Sequence, residues 1–382
     1  MVVVRDAVHG SVELNAFEER LLDSATMQRL RFVKQLATAY LVFPSAQHSR
    51  FEHSIGTFHL TSQLCRKLGV EKGRAQVLRA CALLHDVGHG AFSHLSEPLL
   101  KKYLKKSHEE LAVVRLKNGD LVGVIEKNGL SFKELTRVLL SKTSGDSALI
   151  SGDLGTDRMD YLLRDAFFCG VSYSLVDSQR LLDTLEFYKG ELVVGQKGRL
   201  AAESLLVSRY LMFNSVYFHH AVRISYAMLS KALEFALREE VIAVEDVALG
   251  TDAELMLELV NSQNPIARLL FSRKLFKRAF SLDASAFGCN WSSKRVEMEL
   301  SRSLEGVCDE EEFIVSVPES PSGGIGVKVL GESGRRESLK ESSKLASALE
   351  SQGTTREFIV ASVPEKKSAV EKACKKVFSS KP

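Results

Sequence analysis

The chain has 382 residues, of which 51 are lysine or arginine and 48 are aspartate or glutamate, so its net charge is only +3. This balance gives no electrostatic argument for binding nucleic acid or a membrane surface. Its six cysteines are far apart and form no Cys-x-x-Cys pair, which argues against a zinc ribbon or a disulfide scaffold. Because we find neither a signal peptide nor a long apolar stretch, we expect a cytoplasmic protein without a membrane span.

The sequence predicts mainly helices with small β-hairpins. The predicted elements are a hairpin over residues 2–14, helices over 16–36 (broken at 23–24), 54–68, 74–87, 95–150 and 157–168, a hairpin over 188–195, and helices over 201–240 and on to 304. Two similar strands, 312–319 and 357–365, follow in a part that is richer in serine, glycine and charge. We therefore predict a multi-helical core over 1–240, a helical extension over 241–305 and a small α+β C-terminal region over 306–382.

Seven of the ten histidines lie between His48 and His108, and carboxylates accompany them in a definite order. His53 comes first, the pair His85-Asp86 follows, and Asp157 begins a later helix. Imidazole and carboxylate groups are the side chains that bind a hydrolytic metal ion. The pattern therefore predicts a metal phosphohydrolase site, and the alternative is a scatter of core and surface histidines.

Helix periodicity supports a shared site. His85 and His89 are four residues apart, so they share a helix face or lie at a helix end and in the turn after it. Asp157, Tyr161 and Asp165 recur at every fourth position, which places two carboxylates and a phenol on one face of the next helix. For Asp165, an ion pair with a neighbouring arginine (Arg158 or Arg164) is the alternative to a substrate contact.

The ordered motifs resemble those of the HD-domain phosphohydrolases, in the branch of the deoxynucleoside triphosphate (dNTP) triphosphohydrolases. The likeness extends from about Val4 to Ser230 and includes the vertebrate enzymes in which a sterile-alpha-motif domain accompanies the HD domain. Its motifs are Asp6-Ala7-Val8-His9-Gly10, residues 28–36, residues 48–54, the segment from His85 to His94, Ser107-His108-Glu109 and residues 157–165. The dipeptide His-Asp is a weak signal alone, but the ordered set is highly specific.

The resemblance implies an HD-domain core and assigns the metal and catalytic residues. The implied metal ligands are His53, His85, Asp86 and Asp157. The ion is divalent, and a His/Asp site accepts Mg, Mn, Fe, Co, Ni or Zn. The implied catalytic residues are His108 as the proton donor, Glu109 to orient it and His89 on the scissile phosphate. We interpret His94 as structural.

The resemblance also implies a substrate pocket. Arg50 and Arg158 match phosphate-binding positions, with a surface ion pair as the alternative for each arginine. Gln35 matches the residue that reads the sugar 3′-hydroxyl, with Asp165 opposite, and Leu36 matches a side chain that crowds out a 2′-hydroxyl. Tyr161 is expected to pack against the sugar or to reach a phosphate.

A regulatory site is a further implication. Asp23, Gln28 and Arg31 match residues that read an activating guanine nucleotide between subunits in regulated relatives. Arg273 and Lys277, which the sequence places on one helix face, resemble another part of that site. The alternative is the ordinary charged face of amphipathic helices. The resemblance thus implies a homo-oligomer, a dimer or tetramer, with an activating guanine nucleotide or dNTP at a subunit interface.

The expected function is hydrolysis of dNTPs to deoxynucleoside and tripolyphosphate, by attack of metal-activated water on the α-phosphorus. One alternative is an HD phosphohydrolase or phosphodiesterase acting on another nucleotide. Another is a nucleotide-sensing or nucleic-acid-binding HD protein. The complete ligand set with Arg50 and His108 argues against a sensor, and the small net charge argues against nucleic acid.

Overall fold

The computed structural model describes residues 1–141, 145–174, 176–283, 293–317, 326–331, 334–352 and 357–379. Most of these residues are helical, so the predicted mainly α class is confirmed. Both predicted hairpins form, since Val2–Asp6 pairs antiparallel with Gly10–Leu14 and Leu185–Tyr188 pairs antiparallel with Glu191–Gly195. The first elements are β1 (Val2–Asp6), β2 (Gly10–Leu14), α1 (Ala16–Leu22), α2 (Ala25–Gln28), α3 (Arg50–Lys67), α4 (Lys72–Leu84), α5 (Glu97–Leu104), α6 (His108–Asn118), α7 (Val122–Lys127), α8 (Phe132–Leu140), α9 (Ala148–Ser151) and α10 (Thr156–Cys169).

The second half alternates helices with short strands. Its elements are α11 (Ser178–Thr184), β3 (Leu185–Tyr188), β4 (Glu191–Gly195), α12 (Arg199–Met212), α13 (His220–Arg238), α14 (Val244–Leu249), α15 (Asp252–Asn261), α16 (Pro265–Phe271), β5 (Lys277–Asp283), α17 (Ser293–Ser303), β6 (Phe313–Ser316), β7 (Lys328–Leu330), β8 (Arg336–Ser338), α18 (Leu339–Ser342), α19 (Lys344–Gln352), β9 (Glu357–Ser362) and α20 (Lys367–Ser379). Within the described residues, none of the helices is long and apolar enough to cross a membrane.

The helix predicted over 16–36 ends earlier than its pattern indicates. The predicted break is confirmed, since the Ser24 hydroxyl caps α2 by accepting from the Met27 N–H. The prediction is wrong beyond a 3₁₀ turn that stops at Phe32, because Val33 is extended. The Lys34 N–H donates to the Asp252 carboxylate and not to a helical carbonyl. A tertiary contact therefore overrides the helical periodicity.

Helices α3 and α4 carry most of the histidine motif and pack against each other. Helix α3 begins at Arg50, four residues before the predicted start, because Ser49 and Glu52 form a capping box. Helix α4 ends at Leu84, so His85 and Asp86 lie in the turn beyond it and not within the predicted helix. Val87 continues the apolar pattern because it is buried in the core, although it is no longer helical.

Residues 277–283 form strand β5, so the prediction that helices continue to 304 is wrong there. Strand β9 pairs antiparallel with both β5 and β6, and the two similar strands of the sequence are thus neighbours in one sheet. This sheet packs α17 and α20 on one face and α13 on the other. Its pairing crosses the predicted boundary at 305, while the division into three parts stays a prediction.

Two further features shape the region around α10. Strand β7 pairs parallel with β4, so the C-terminal region extends the β3–β4 hairpin. A π-helical turn over Phe213–Tyr217 interrupts the helix predicted over 201–240. Such turns often occur at functional sites, and here the Tyr217 hydroxyl reaches Asp165 on α10.

Candidate functional site

Three elements bring the four predicted metal ligands together. His53 lies in α3, His85 and Asp86 follow α4, and Asp157 lies in the first turn of α10. The Nε2 atom of His53 is 3.2 Å from Nε2 of His85 and 3.1 Å from Oδ1 of Asp157, and these last two atoms are 4.0 Å apart. Asp86 Oδ1 is 3.4 Å from His85 Nε2, and Asp86 Oδ2 is 3.8 Å from His53 Nε2. Ligand atoms about 2.1 Å from one ion are separated by about 3.0–4.2 Å, so His53, His85 and Asp157 fit one metal ion, and Asp86 lies beside this group without belonging to it.

The tautomers of the two histidines also favour a cation between them. His85 Nδ1 bonds to the main-chain oxygen of Ala82 at 2.8 Å, and His53 Nδ1 bonds to Asp160 at 2.7 Å. With both Nδ1 atoms directed at these oxygen atoms, both Nε2 atoms face the Asp157 carboxylate. Burial lowers the pKa of His53, but the hydrogen bonds to Asp157 and Asp160 raise it to about 10 overall. The centre therefore favours positive charge, and His53, His85 and Asp157 form a group that can hold a divalent ion.

The predicted phosphate ligand Arg50 is buried and contacts the metal centre directly. Its Nη1 donates to Asp86 Oδ2 at 2.6 Å, and its Nε donates to the Ser93 hydroxyl at 2.6 Å. Burial raises the pKa of Asp86, but Arg50 and the neighbouring histidines hold it well below its usual range. The Nη2 atom of Arg50 is buried and has no hydrogen-bond partner among the described residues. One guanidinium donor thus remains for an anion in the cleft.

Asp160 holds the predicted metal ligand His53 through its Nδ1 atom, a role that was not predicted from the sequence. Its fully buried carboxylate accepts from His53 Nδ1 at 2.7 Å, from Arg164 Nε at 2.9 Å and contacts His9 Nε2 at 2.6 Å. Arg164 also bonds to Asp6. A Cβ on Gly56 would overlap the side chains of Asp160 and Arg164, so only glycine fits there on α3. The signal available in the sequence was a carboxylate three residues after a ligand on the same helix.

His89 and His108 form the second part of the site. Their rings are stacked, with centroids 4.1 Å apart and an interplanar angle of 16°. His89 Nε2 is 3.4 Å from Asp86 Oδ1, so the pair borders the metal centre. Burial and the charges of Arg50 and His108 lower the pKa of His89 well below its usual range, which keeps it neutral. Gly88 permits this approach, because a Cβ there would overlap the main chain of α6 at His108.

Glu97 holds His108 and was missed by the sequence analysis. His108 Nδ1 is 3.1 Å from Glu97 Oε1, whereas the predicted partner Glu109 lies 3.4 Å from Nε2 at the other ring edge. Glu97 Oε2 also contacts His94 Nδ1 at 3.1 Å. Burial raises the pKa of Glu97, but its hydrogen bonds to the two histidines lower it well below its usual range. The His94 side chain is 65% exposed, so His94 is not a core residue, and its structural role stays a prediction.

His89, His94 and His108 also come close enough for their ligand atoms to meet at one ion. Two stacked imidazoles direct their in-plane lone pairs along parallel lines and not towards a common point. The stacking of His89 on His108 therefore favours proton transfer or phosphate contact over metal binding for these three residues.

Two predicted sugar-binding residues, Gln35 and Asp165, both contact His48. Asp165 is buried, with Oδ1 2.8 Å from His48 Nε2 and Oδ2 accepting from the Tyr217 hydroxyl at 2.6 Å. Its alternative partners Arg158 and Arg164 make no such contact and pair with Asp153 and Asp160. The Oε1 atom of Gln35 is buried without a hydrogen-bond partner among the described residues, so it can accept from a ligand hydroxyl.

Leu36 precedes a left-handed residue, Ala37, with φ of +40°. The main-chain oxygen of Leu36 accepts from the Tyr226 hydroxyl at 2.7 Å, which fixes the loop against α13. Tyr161 packs against the main core, and burial raises the pKa of its phenol although Arg158 and Arg209 lower it. Leu36 and Tyr161 are thus each held in a defined position by contacts within the fold.

Arg158 forms an ion pair in this structure, as its alternative interpretation stated. Its Nη1 donates to Asp153 Oδ1 at 2.6 Å, and Asp153 Oδ2 in turn accepts from the Gly326 N–H at 2.8 Å. Arg209 on α12 was not identified from the sequence, and its pKa is lowered by burial and by the charge of Arg158. A polyanion between the two arginines would relieve this repulsion.

The predicted regulatory residues fall into two separate groups within one chain. Gln28 Oε1 accepts from Arg31 Nε at 2.6 Å, and Asp23 caps the end of α1 nearby. Arg273 and Lys277 do not share a helix face, so that prediction is wrong. Arg273 follows α16 with φ of +55° and donates to the main-chain oxygen of Leu41, whereas Lys277 begins β5. A strand forms here because β9 supplies the pairing partner.

Comparison with known proteins identifies this architecture. The HD domain matches residues 50–140, and the HD associated region matches residues 176–381. An uncharacterized protein of Methanocaldococcus jannaschii is 36% identical over 72% of this chain and 59% of its own length. The deoxynucleoside triphosphate triphosphohydrolase SAMHD1 of Homo sapiens is 36% identical over 34% of this chain and 22% of its own length.

A solved structure matches the whole chain. The crystal structure of a hypothetical protein from Aquifex aeolicus superposes with a TM-score of 0.82 at 32% identity, covering 98% of this chain and 99% of that protein. By contrast, the chain spans little more than half the length of the uncharacterized relatives from Methanocaldococcus jannaschii and Bacillus subtilis.

Proposed function

The chain belongs to the HD-domain phosphohydrolase family, and we propose that it hydrolyses dNTPs to deoxynucleoside and tripolyphosphate. The observation that carries the proposal is the convergence of the His53, His85 and Asp157 ligand atoms, together with two buried polar atoms that lack partners among the described residues. These two atoms are Gln35 Oε1, an acceptor, and Arg50 Nη2, a cationic donor. A deoxyribose hydroxyl and a phosphate oxygen match them. The partial match to a protein named as a dNTP triphosphohydrolase supports the same substrate.

The side chains divide the chemistry between them. A divalent ion at the centre would lower the pKa of a bound water and polarise a phosphoryl oxygen. Arg50 lies 2.6 Å from Asp86 and offers Nη2 to the phosphate. His89, held neutral, can donate to a phosphate oxygen without adding charge. The stacked His108, bonded to Glu97 through Nδ1, presents Nε2 as a proton donor to the leaving 5′-oxygen.

The assay that tests this function is incubation of the protein with each dNTP and Mn²⁺ or Mg²⁺, alone and in mixtures. Deoxynucleoside and tripolyphosphate are expected in equal amounts, and a chelator is expected to stop their release. Protein treated with chelator and then reloaded with metal is the control. Full activity without metal, or products only from monophosphates or cyclic dinucleotides, would contradict the proposal and favour the other phosphohydrolase class.

Leu36→Ala is expected to weaken the preference for dNTP over NTP. Its side chain lies on a loop that Tyr226 fixes, so shortening it opens space for a 2′-hydroxyl without releasing the loop. One steric contact of this kind is worth about 1–3 kcal/mol, or a factor of about 10–200 in the ratio of kcat/KM values. The measurement is kcat/KM for dGTP and GTP, with Leu36→Met as the control that keeps side-chain volume. An unchanged ratio in Leu36→Ala would remove Leu36 from sugar selection.

We further propose that the protein is a homo-oligomer that binds an activating nucleotide at Gln28 and Arg31. The Arg31 guanidinium lies 3.7 Å from the centre of the Phe51 ring, and Phe51 stands between Arg50 and His53 in α3. A phosphate that draws Arg31 away from Phe51 would therefore act on the start of the helix that carries a metal ligand.

Added dGTP is expected to raise the rate of dATP hydrolysis and the oligomer fraction together, because binding between subunits favours assembly. Hydrolysis rates and sedimentation at matched protein concentrations measure both effects, and Arg31→Ala is expected to abolish both. A monomer at every dGTP concentration, with no change in rate, would leave these residues as an ordinary charged surface.

A further inference from the structure

The turn after α4 carries much of the chemistry but lies outside any α-helix. Residues 85–93 include Asp86 and His89, and they end at Ser93, whose hydroxyl accepts from Arg50. Buried main-chain groups in such a turn need partners from elsewhere in the fold. Two side chains outside the site already described, Arg29 and Asp252, supply them.

Arg29 holds the turn through its carbonyl groups. Its Nη2 donates to the main-chain oxygens of Val87 at 3.2 Å and His89 at 2.5 Å, and its Nη1 donates to that of Gly250 at 2.9 Å. The planar guanidinium group thus links the turn by hydrogen bonds to the segment between α14 and α15. A further hydrogen bond joins the same regions, from the Ala91 N–H to the main-chain oxygen of Val247 at 2.9 Å.

Asp252 connects the same turn to the sugar-binding loop. It is the first residue of α15 and is 7% exposed. Its Oδ1 accepts from the Phe92 N–H at 2.7 Å, and its Oδ2 accepts from the Lys34 N–H at 3.0 Å. Lys34 directly precedes Gln35. One carboxylate therefore bridges the loop that carries His89 and the loop that carries Gln35.

We propose that Asp252 and Arg29 are positioning residues, which hold the turn of residues 85–93 and the loop that carries Gln35 at a fixed distance and orientation. This inference rests on the proposed function, because the relative position of the two segments matters only if one substrate contacts both. The same set of hydrogen bonds includes Arg50, the predicted phosphate ligand, because its main-chain N–H donates to the main-chain oxygen of Val33 at 2.9 Å. A misplacement of about 1 Å between the reacting groups can cost about a hundredfold in rate.

The charge of Asp252 does not serve the stability of the fold. Burial raises its pKa to about 6, although the N–H groups of Phe92 and Lys34 and the charges of Lys34 and Arg50 lower it. A carboxyl group with a raised pKa stabilises the fold below its ordinary pKa, and this contribution is lost as the pH rises through about 6. At neutral pH the ionised carboxylate therefore opposes folding. Its geometry, with one oxygen for each loop, accounts for its presence.

The test is Asp252→Asn, because asparagine keeps the shape but has one acceptor oxygen and presents an N–H₂ group to the other loop. Its matched control is Glu254→Gln in the same helical turn, where the exposed carboxylate accepts from Thr251 and from no other residue in the part of the chain that the structure describes. Asp252→Asn is expected to lower kcat/KM for dNTPs by about tenfold or more while the protein stays folded, with a Tm lowered by no more than the loss of one buried hydrogen bond. Arg29→Lys, which keeps the charge but loses the fork, is expected to act in the same direction. Glu254→Gln is expected to keep the kcat/KM of the unmodified protein.

Hydrogen exchange gives a readout that does not depend on the substrate. In Asp252→Asn, the amides of Phe92 and Lys34 are expected to exchange faster, while those of the α3 interior are unchanged. Faster exchange with no detectable dNTP hydrolysis by the unmodified protein would contradict the proposed function and leave the link between the loops supported. Unchanged kcat/KM in an active enzyme, or unchanged exchange at both amides, would overturn the positioning role.

Discussion

Asp157→Asn is expected to reduce metal-dependent hydrolysis by more than about a hundredfold and to lower the bound metal in step with it. The carboxamide lacks the negative charge that faces the two Nε2 atoms, and Asp157 Oδ1 is only 3.1 Å from that of His53. The side chain of Asp157 is 30% exposed, and its buried partner His53 keeps its other hydrogen bond, from Nδ1 to Asp160 at 2.7 Å. The fold is therefore expected to keep its Tm.

The measurements are metal content by mass spectrometry and kcat on each dNTP. Asp183→Asn, on the exposed side of α11, is the control that changes the same functional group away from the site. A substitution of Asp86 is less informative, because it also removes the carboxylate that pairs with the buried Arg50 guanidinium at 2.6 Å. Full metal content with full activity in Asp157→Asn would exclude Asp157 as a ligand.

His108→Ala is expected to slow turnover by about 10²–10⁴-fold while metal content stays unchanged. His108 is held through Nδ1 by Glu97 and stacks on His89, so it borders the centre without joining the group of His53, His85 and Asp157. An acid in this position affects the chemical step more than binding. The measurement is kcat together with the dissociation constant for a dNTP in single-turnover experiments.

His220→Ala, an exposed histidine at the start of α13, is the control for the loss of an imidazole. The companion variant His94→Ala is informative because His94 shares Glu97 with His108. A large loss of turnover in His94→Ala, with normal turnover in His108→Ala, would assign the role of proton donor to His94.

The sequence predicts best where local signals and tertiary contacts agree. The hairpins form where predicted, and α10 places Asp157, Tyr161 and Asp165 on one side of the helix because every fourth residue shares a helix face. It fails where a distant partner decides the structure. Residues 33–36 leave the helix because Asp252 binds the Lys34 N–H, and β5 forms because β9, about 80 residues later, pairs with it.

The same limit applies to the site. Ligand types and order are visible in a sequence, so His53, His85, Asp86 and Asp157 could be proposed together. Supporting residues such as Asp160, Glu97 and Asp252 act through geometry, and their chemistry is common among ordinary helix caps and ion pairs. Arg158 is the opposite case, because its type and position predict a phosphate contact, whereas in the structure it forms a 2.6 Å ion pair with Asp153.

Attack on the α-phosphorus is the central claim, and hydrolysis of a dNTP in water labelled with oxygen-18 tests it most directly. Water that attacks the α-phosphorus leaves with the triphosphate group, so mass spectrometry is expected to find one labelled oxygen in tripolyphosphate and none in the deoxynucleoside. The label is expected to appear only when metal is supplied, and not with Asp157→Asn. Label in the deoxynucleoside, or release of unlinked phosphate or diphosphate as the first product, would contradict the account.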